Sequence, residues 1–234
     1  MKNRIRYSLG SLLIAALFLF VGARLWEPLA PAVGLVTKVV RFVDHKVQEA
    51  DWQKAKVGQP LSNGDQIKTG ERSIAIVKFA DNNVLRVREE SVLKIFAQKN
   101  EVGAFSKNVE MTKGTSGFDV KNRENEQFTF TSPTSVASIR GSSGSYTTET
   151  EADTLTMLTG TGDLTSNLTG DTETVDGGQT GTVDSQTGDI EVHDSSQDEL
   201  NNAQGANTDP NINELRMRTS DGRTLIIEFD DQRP

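Results

Sequence analysis

The chain has 234 residues, contains no cysteine and carries a formal net charge of −8. The absence of cysteine excludes thiol catalysis, disulfide bonds and zinc sites built on thiolates. A hydrophobic content of 35% can fill only a modest core, which favours one β-domain with accessory segments.

The charge is divided unevenly along the chain. Residues 1–140 hold 21 Lys and Arg against 14 Asp and Glu, whereas residues 141–215 hold 15 acidic residues and no Lys or Arg. A nucleic-acid-binding protein needs a basic surface that neutralises phosphates, and the acidic half of this chain would repel them. We therefore expect no nucleic acid among its partners.

Residues 1–24 carry a targeting signal. Basic residues at positions 2, 4 and 6 precede an uncharged, mostly apolar stretch over residues 7–23. Basic residues keep their end of such a segment in the cytoplasm, so the rest of the chain is exported. We expect one hydrophobic helix that crosses the inner membrane once and leaves the C-terminal domain in the periplasm. The alternative is a signal peptide cleaved after Ala23 or Ala32, where small residues stand at the required spacing, and a secreted protein.

From residue 33 to residue 192, apolar and polar positions alternate between short turns, which is typical of β-strands. The predicted strands are 33–41, 74–79, 84–88, 91–96, 109–114, 117–120, 127–131 and 136–142, followed by shorter ones at 155–159, 163–165, 173–175 and 190–192. We expect an all-β domain over residues 33–192, built as a sandwich or as a short solenoid of stacked strands. Acidic residues in its second half are spread singly, unlike a calcium-binding array, and we interpret them as a solvated face.

The C-terminal part divides into two further segments. Residues 193–213 are rich in Asp, Ser, Asn and Gln, and they predict a flexible acidic linker. Residues 214–234 contain two strand-like runs around Asp221-Gly222 and predict a β-hairpin. An isolated hairpin is marginally stable in water, so we expect this one to dock on the main domain or on a partner.

Several short blocks of glycine, polar and apolar residues follow one another along the predicted β-domain. They contain Gly58, Gly64, Asp65, Ile67, Thr69, Gly70, Asp81, Pro133, Arg140 and Gly141, to which we assign structural roles. Taken in order, these blocks resemble the FecR domain, whose pattern has a Gly-Asp-x-Ile-x-Thr-Gly block, a Phe-x-Asp-Gly turn, a Thr-Pro pair and a Val-Arg-Gly-Thr block. The resemblance covers roughly residues 34–183. Asn82 replaces the turn glycine and still tolerates a positive φ, and Ser142 replaces the threonine and keeps the hydroxyl.

The resemblance implies a single-pass inner-membrane regulator. In such proteins a cytoplasmic segment binds an extracytoplasmic-function sigma factor, and the periplasmic domain receives a signal from an outer-membrane receptor. Only residues 1–6 precede the hydrophobic stretch here, fewer than one stable helix needs. We therefore expect no sigma-binding segment of that kind.

The sequence predicts neither an enzyme nor a cofactor. Ser91 and Lys94 have the spacing of an acylating pair, but that chemistry needs a helix and these residues lie on a predicted strand. His45 and His193 are expected at the surface, without the further ligands that a metal site requires. Trp52 stands among charged residues, and it either packs near the Gly58 block or contacts a partner.

These features predict a non-enzymatic, extracytoplasmic binding or signal-relay module of the FecR type. Its partner would be an unidentified envelope protein or a cell-wall component. The alternative is a structural surface protein or adhesin-like envelope component, in which the acidic, threonine-rich strands serve as a solvated contact surface.

Overall fold

The computed structural model describes residues 32–99, 105–123, 126–210, 212–218 and 224–230. The hydrophobic helix expected over residues 7–23 lies outside these ranges. In the part of the chain that is described, no helix is long and apolar enough to cross a bilayer.

All but one of the regular elements in the described chain are β-strands, as the alternating sequence predicts. The strands are β1 (Ala32–Val40), β2 (Val43–Lys46), β3 (Gln53–Lys54), β4 (Pro60–Ser62), β5 (Gln66–Thr69), β6 (Ile74–Phe79), β7 (Val84–Val87), β8 (Val92–Lys99), β9 (Phe105–Asp119), β10 (Gln127–Thr131), β11 (Ser135–Thr148), β12 (Ala152–Ser166), β13 (Thr172–Asp176), β14 (Gln179–Asp184), β15 (Ile190–Asp194), β16 (Ile212–Arg218) and β17 (Thr224–Asp230). One α-helix, α1 (Gln197–Asn207), follows β15.

Three long strands bend and divide their pairing between two layers. The first half of β9 pairs with β8 and β10, and its second half pairs with β7 and β11. Strands β11 and β12 change partners in the same way. Each bend contains a glycine with positive φ: Gly114 at 99°, Gly141 at 61° and Gly160 at 73°. The sequence predicted two strands at 109–114 and 117–120 where the structure has one bent strand.

The bends produce a two-layered sandwich. We call the layer that contains β3, β2, β5, β8 and β10 the first sheet, and the layer that contains β4, β1, β6, β7, β14 and β15 the second sheet. Most pairs are antiparallel, but β9 and β10 run parallel.

An aromatic cluster fills the space between the two sheets. Phe128 on the first sheet meets Phe79 on the second edge to face, with ring centroids 5.7 Å apart. Phe130 on the first sheet stacks on Tyr146 on the second at 5.1 Å, and also lies 5.3 Å from Phe118. All five rings are almost fully buried, and such pairs add specific geometry to the apolar burial that stabilises the fold.

The prediction of a flexible linker over residues 193–213 is wrong for residues 197–207, because these residues form α1. Ser196 caps the helix, and Glu199 completes a capping box. Ala203 and Ala206 are buried against the outer face of the second sheet. Gly117 permits this close approach, because a Cβ there would lie 2.3 Å from the Ala206 carbonyl oxygen.

After α1 the chain continues across the same outer face. The Arg88 guanidinium donates to the Thr208 carbonyl at 3.4 Å, and the Arg86 guanidinium lies 2.6 Å from the Asp209 carboxylate. The Lys38 ammonium donates to the Pro210 carbonyl. Strands β16 and β17 follow and pair antiparallel with each other, from Ile212 with Asp230 to Arg218 with Thr224.

Candidate functional site

A cleft of about 560 Å³ opens at one end of the sandwich. Three segments form its walls: the turn after β6, residues 120–123 together with Glu126, and the β11 bend at Arg140-Gly141. Two of the blocks that carry the FecR resemblance, the Asp81 turn and the Arg140-Gly141 pair, therefore meet at one place. Residues 120–123, Glu126 and Gln127 belong to no recognised block and supply most of the polar lining.

The turn after β6 is built from its own side chains. Asn82 has a φ of 67°, as expected for the residue that replaces the family's glycine. The Asn83 amide and backbone N–H donate to the two oxygens of Asp81, at 2.9 and 3.2 Å. Asn83 Oδ1 also accepts from the Lys121 N–H at 2.8 Å. The turn is therefore hydrogen-bonded to residues 120–123, which form another wall of the cleft.

Beneath the turn lies a buried ionic cluster of Asp81, Lys107 and Glu126. Lys107 lies on the inner face of β9, and its ammonium forms an ion pair with Asp81 across the end of the sandwich. Glu126 Oε2 is 3.7 Å from the same ammonium. Burial raises the pKa of Glu126, and a hydrogen bond with the Asp81 carboxyl raises it further. Burial acts in the same direction on Asp81, but the hydrogen bond and charge of Lys107 outweigh it and lower the Asp81 pKa.

The β11 bend positions Arg140 at the mouth of the cleft. A Cβ on Gly141 would lie 2.4 Å from Asn122 Cβ, so glycine is required where the two walls approach. The Ser142 hydroxyl accepts from the Thr161 N–H at 2.9 Å and fixes the bend to β12. The Arg140 side chain remains 72% exposed, with its guanidinium 3.7 Å from Asp163.

Cationic groups therefore surround the cleft entrance. Lys121 and Arg123 are exposed there beside Arg140; the Lys121 ammonium is 2.9 Å from Asp119, and the Arg123 guanidinium donates to the Asp81 carbonyl at 3.0 Å. Such an arrangement suits an anionic group on a bound segment. Among the described residues, no cluster of His, Cys, Asp and Glu could hold a metal ion.

The remaining blocks of the FecR resemblance lie away from the cleft. Gly58 and Gly64 have φ values of 83° and 87°, and Ile67 is buried in the core. The Thr69 hydroxyl donates to the Arg88 carbonyl at 2.5 Å, and Gly70 packs against Phe42. Pro133 lies in the connection from β10 to β11, where its carbonyl accepts from Asn167.

Two of the predictions about single residues have definite outcomes. His45 was expected at the surface, and this prediction was wrong. The residue is 3% exposed because its position on β2 faces the core, and its side chain is hydrogen-bonded to Asp65. His193 is exposed and lies 3.1 Å from Glu199. Trp52 is 39% exposed, so its ring is only partly packed.

Lys107, Arg123 and Glu126 were missed by sequence reasoning. Lys107 occupies an alternating apolar position before Val109, and a charge in such a position was the available signal. Its partners lie 26 residues before it and 19 residues after it in the chain. Glu126 comes close because β9 and β10 run parallel with Lys107 opposite Phe128, and Asp81 comes close from the turn after β6 in the other sheet.

A family model and two solved structures match parts of this chain. Residues 65–164 match the family model described as FecR protein. Two crystal structures of a protein provisionally described as an anti-sigma factor, from Parabacteroides distasonis ATCC 8503, each match with 16% identity and a TM-score of 0.49. The matches cover 58% of this chain and 62% of that chain. No curated protein matches the sequence.

The family match is shorter than the resemblance predicted from the sequence, which covered residues 34–183. It begins at Asp65 and ends at Leu164, so it includes the ionic cluster, the cleft, all of β9 and β11, and β12 except its last two residues. Strands β13 to β15 and helix α1 lie beyond it. Residues 65–164, less than half of the 234-residue chain, therefore resemble the FecR family.

Proposed function

We propose that this protein is a non-enzymatic, extracytoplasmic binding or signal-relay module of the FecR type, anchored at the inner membrane through residues 7–23. The family match supports the relay role, and the basic flank of the apolar stretch supports the anchor. The partner is an envelope protein or a cell-wall component.

The cleft is the contact site that we assign to this function. The observation that carries the assignment is that the Asp81 turn and the Arg140-Gly141 bend, both inside the family match, converge on the same cavity. Exposed Arg140, Lys121 and Arg123 would meet acidic groups of the partner, while the buried ion pair of Lys107 and Asp81 connects the two sheets beneath them.

A site-specific photocrosslink tests the contact. A photoreactive residue at Asn122, in the cleft wall, should form a covalent adduct with an envelope component in cells that make the full chain. Arg140→Glu should reduce that adduct about tenfold, because it reverses the charge at the cleft mouth. The same photoreactive residue at exposed Asp189, on the β14–β15 connection, is the matched control and should give no such adduct.

Two results would contradict the proposal. Equal crosslinking from both positions would show that the cleft has no special role. A normal adduct from Asn122 in the Arg140→Glu variant would show that the cationic mouth does not select the partner. A structural surface role predicts the first result, because an adhesin-like protein would use the acidic, threonine-rich half of the domain, in which Asp189 lies.

A further inference from the structure

A cluster of large apolar side chains is exposed at the edge of the first sheet. Of the six large apolar residues that are well exposed in the described chain, four lie in the β2–β3 hairpin and the turns on either side of it. They are Phe42 at 70%, Val47 at 49%, Trp52 at 39% and Val57 at 65% exposure. Scattered apolar residues are ordinary on a protein surface, but this concentration within 16 residues at a sheet edge indicates a contact surface.

The outer face of the neighbouring strands is rich in lysine. Strand pairing places Lys54, Asp44, Lys68, Val92 and Lys113 side by side, and the next row contains Lys46, Gln66, Lys94 and Glu110. The inner faces of the same strands hold buried Ile67 and Leu93, so these two rows point away from the core. The Lys94 ammonium lies over the Phe96 ring at 4.9 Å. This surface therefore carries five lysines and only two acidic residues.

The opposite end of the domain has the reverse charge. Residues 141–215, which supply β12 to β15 and α1, hold 15 acids and neither Lys nor Arg. A domain with this asymmetry turns its lysine-rich edge toward any extended anionic surface and its acidic end away from it.

We propose that this edge, consisting of Phe42, Val47, Trp52 and Val57 with the five lysines, rests on the anionic surface of a lipid bilayer. Lysines attract acidic headgroups, and tryptophan and phenylalanine rings settle at the headgroup level. This combination fits a bilayer better than an acidic protein, because the apolar residues are exposed at an open sheet edge and lie in the same part of the sheet as the lysines.

The proposal rests on the anchoring proposed above. If the span ends at Ala23, residues 24–31 form an eight-residue connection to β1, which reaches at most about 28 Å. A tether of that length holds the domain at a high effective concentration beside the bilayer, so weak contacts suffice to orient it.

Tryptophan quenching tests the orientation directly. The chain contains two tryptophans, so Trp26→Phe leaves Trp52 as the only reporter. The full-length variant is placed in vesicles whose lipids carry bromine on the acyl chains, either zwitterionic or with an added anionic lipid. Trp52 fluorescence should be quenched about twofold more strongly in the anionic vesicles, and the difference should vanish at about 1 M salt, where the screening length falls to about 3 Å.

Matched variants distinguish the loss of positive charge from a change in the folded structure. Lys54→Gln with Lys68→Gln should remove the extra quenching, whereas Lys54→Arg with Lys68→Arg should retain it, because the charges are kept. Both lysines are exposed, so circular dichroism should be unchanged in either variant.

Flotation of the same vesicles distinguishes this proposal from the anchoring proposal. A chain that floats with both lipid mixtures but shows no quenching of Trp52 overturns the orientation and leaves the anchor intact. A chain that does not float overturns both. Shielding of Trp52 by a tryptophan-free second copy without vesicles would identify self-association as the role of this edge and overturn its contact with lipid.

Discussion

His45 Nε2 lies 3.1 Å from Asp65 Oδ2, and both side chains are 3% exposed. The same Asp65 oxygen accepts from the Ser62 N–H at 2.9 Å, and the Gln59 amide lies 3.0 Å from His45 Nδ1. The aspartate of the FecR Gly-Asp block thus connects β2, the turn before β5 and the connection into β4 through one buried carboxylate.

Removing that carboxylate should destabilise the domain. Asp65→Ala leaves the Ser62 N–H and the His45 ring without their acceptor, and we expect a loss of about 2 kcal/mol in the free energy of unfolding. Urea unfolding measures it, with Asp189→Ala at an exposed position as the control. A double-mutant cycle with His45→Ala should show coupling between the two residues; additive losses would contradict a direct interaction.

Removing a second buried carboxylate, that of Asp153, should lower the free energy of unfolding more than removing that of Asp65. Asp153 is fully buried, and its Oδ2 accepts from the hydroxyls of Tyr146 at 2.9 Å and Ser135 at 2.8 Å and also contacts Ser132. Burial raises the pKa of Tyr146, and the Asp153 charge raises it further, so this phenol stays a donor. Asp153→Ala leaves all three hydroxyls without this acceptor and should cost about 3 kcal/mol, whereas Tyr146→Phe should cost about 1 kcal/mol. Thermal unfolding checks the order, and equal losses would contradict it.

Two glycine substitutions test how α1 is attached. Gly117→Ala places a methyl group against the Ala206 carbonyl and should cost about 2 kcal/mol, with faster amide hydrogen exchange over residues 197–207. Gly205→Ala adds the same methyl group within the helix, where nothing lies within 4 Å, and should stabilise by about 0.5 kcal/mol. Similar effects at both positions would show that α1 does not depend on close contact with β9.

The ionic cluster gives opposite pH dependences to its two acids. The lowered pKa of Asp81 means that its contribution to stability is present above the unfolded-state pKa of about 3.8 and is lost as pH falls through the lower folded-state pKa. The raised pKa of Glu126 means that its contribution is present below about 4.5 and is lost as pH rises through the higher folded-state pKa.

Amide variants should separate these two contributions. Asp81→Asn should cost about 3 kcal/mol at pH 7, because it removes the charged partner of buried Lys107. Glu126→Gln should be neutral or stabilising at pH 7 and should weaken the decline of stability with rising pH above about 4.5. Urea unfolding between pH 3 and pH 8 measures both, and a destabilised Glu126→Gln at pH 7 would contradict the raised pKa.

Alternation in the sequence predicted most strands because one face of each strand is buried. Val36, Val77 and Leu93 occupy the inward positions that the period of two assigns to them. The lengths of β9, β11 and β12 were not predictable in the same way. Their glycines resemble ordinary turn signals, and only tertiary pairing shows that the strands continue through them.

Helix α1 was missed because its buried residues carry little hydrophobic signal. Ala203 and Ala206 pack on a sheet face that is itself lined by glycine, so small residues replace the usual apolar stripe. The spacing of Ser196 and Glu199, which forms the capping box, was the local signal that could have identified the helix. Composition alone favoured a linker.

The three bent strands, each shared by both layers, also determine how this domain comes apart. Separating one layer from the other would require breaking β9, β11 and β12 at their midpoints, so neither layer can melt while its neighbour persists. Denaturation should therefore proceed as one all-or-none event, with the slowest-exchanging amides distributed over both layers. Such a domain would respond as one rigid unit to an applied force or to the binding of a ligand.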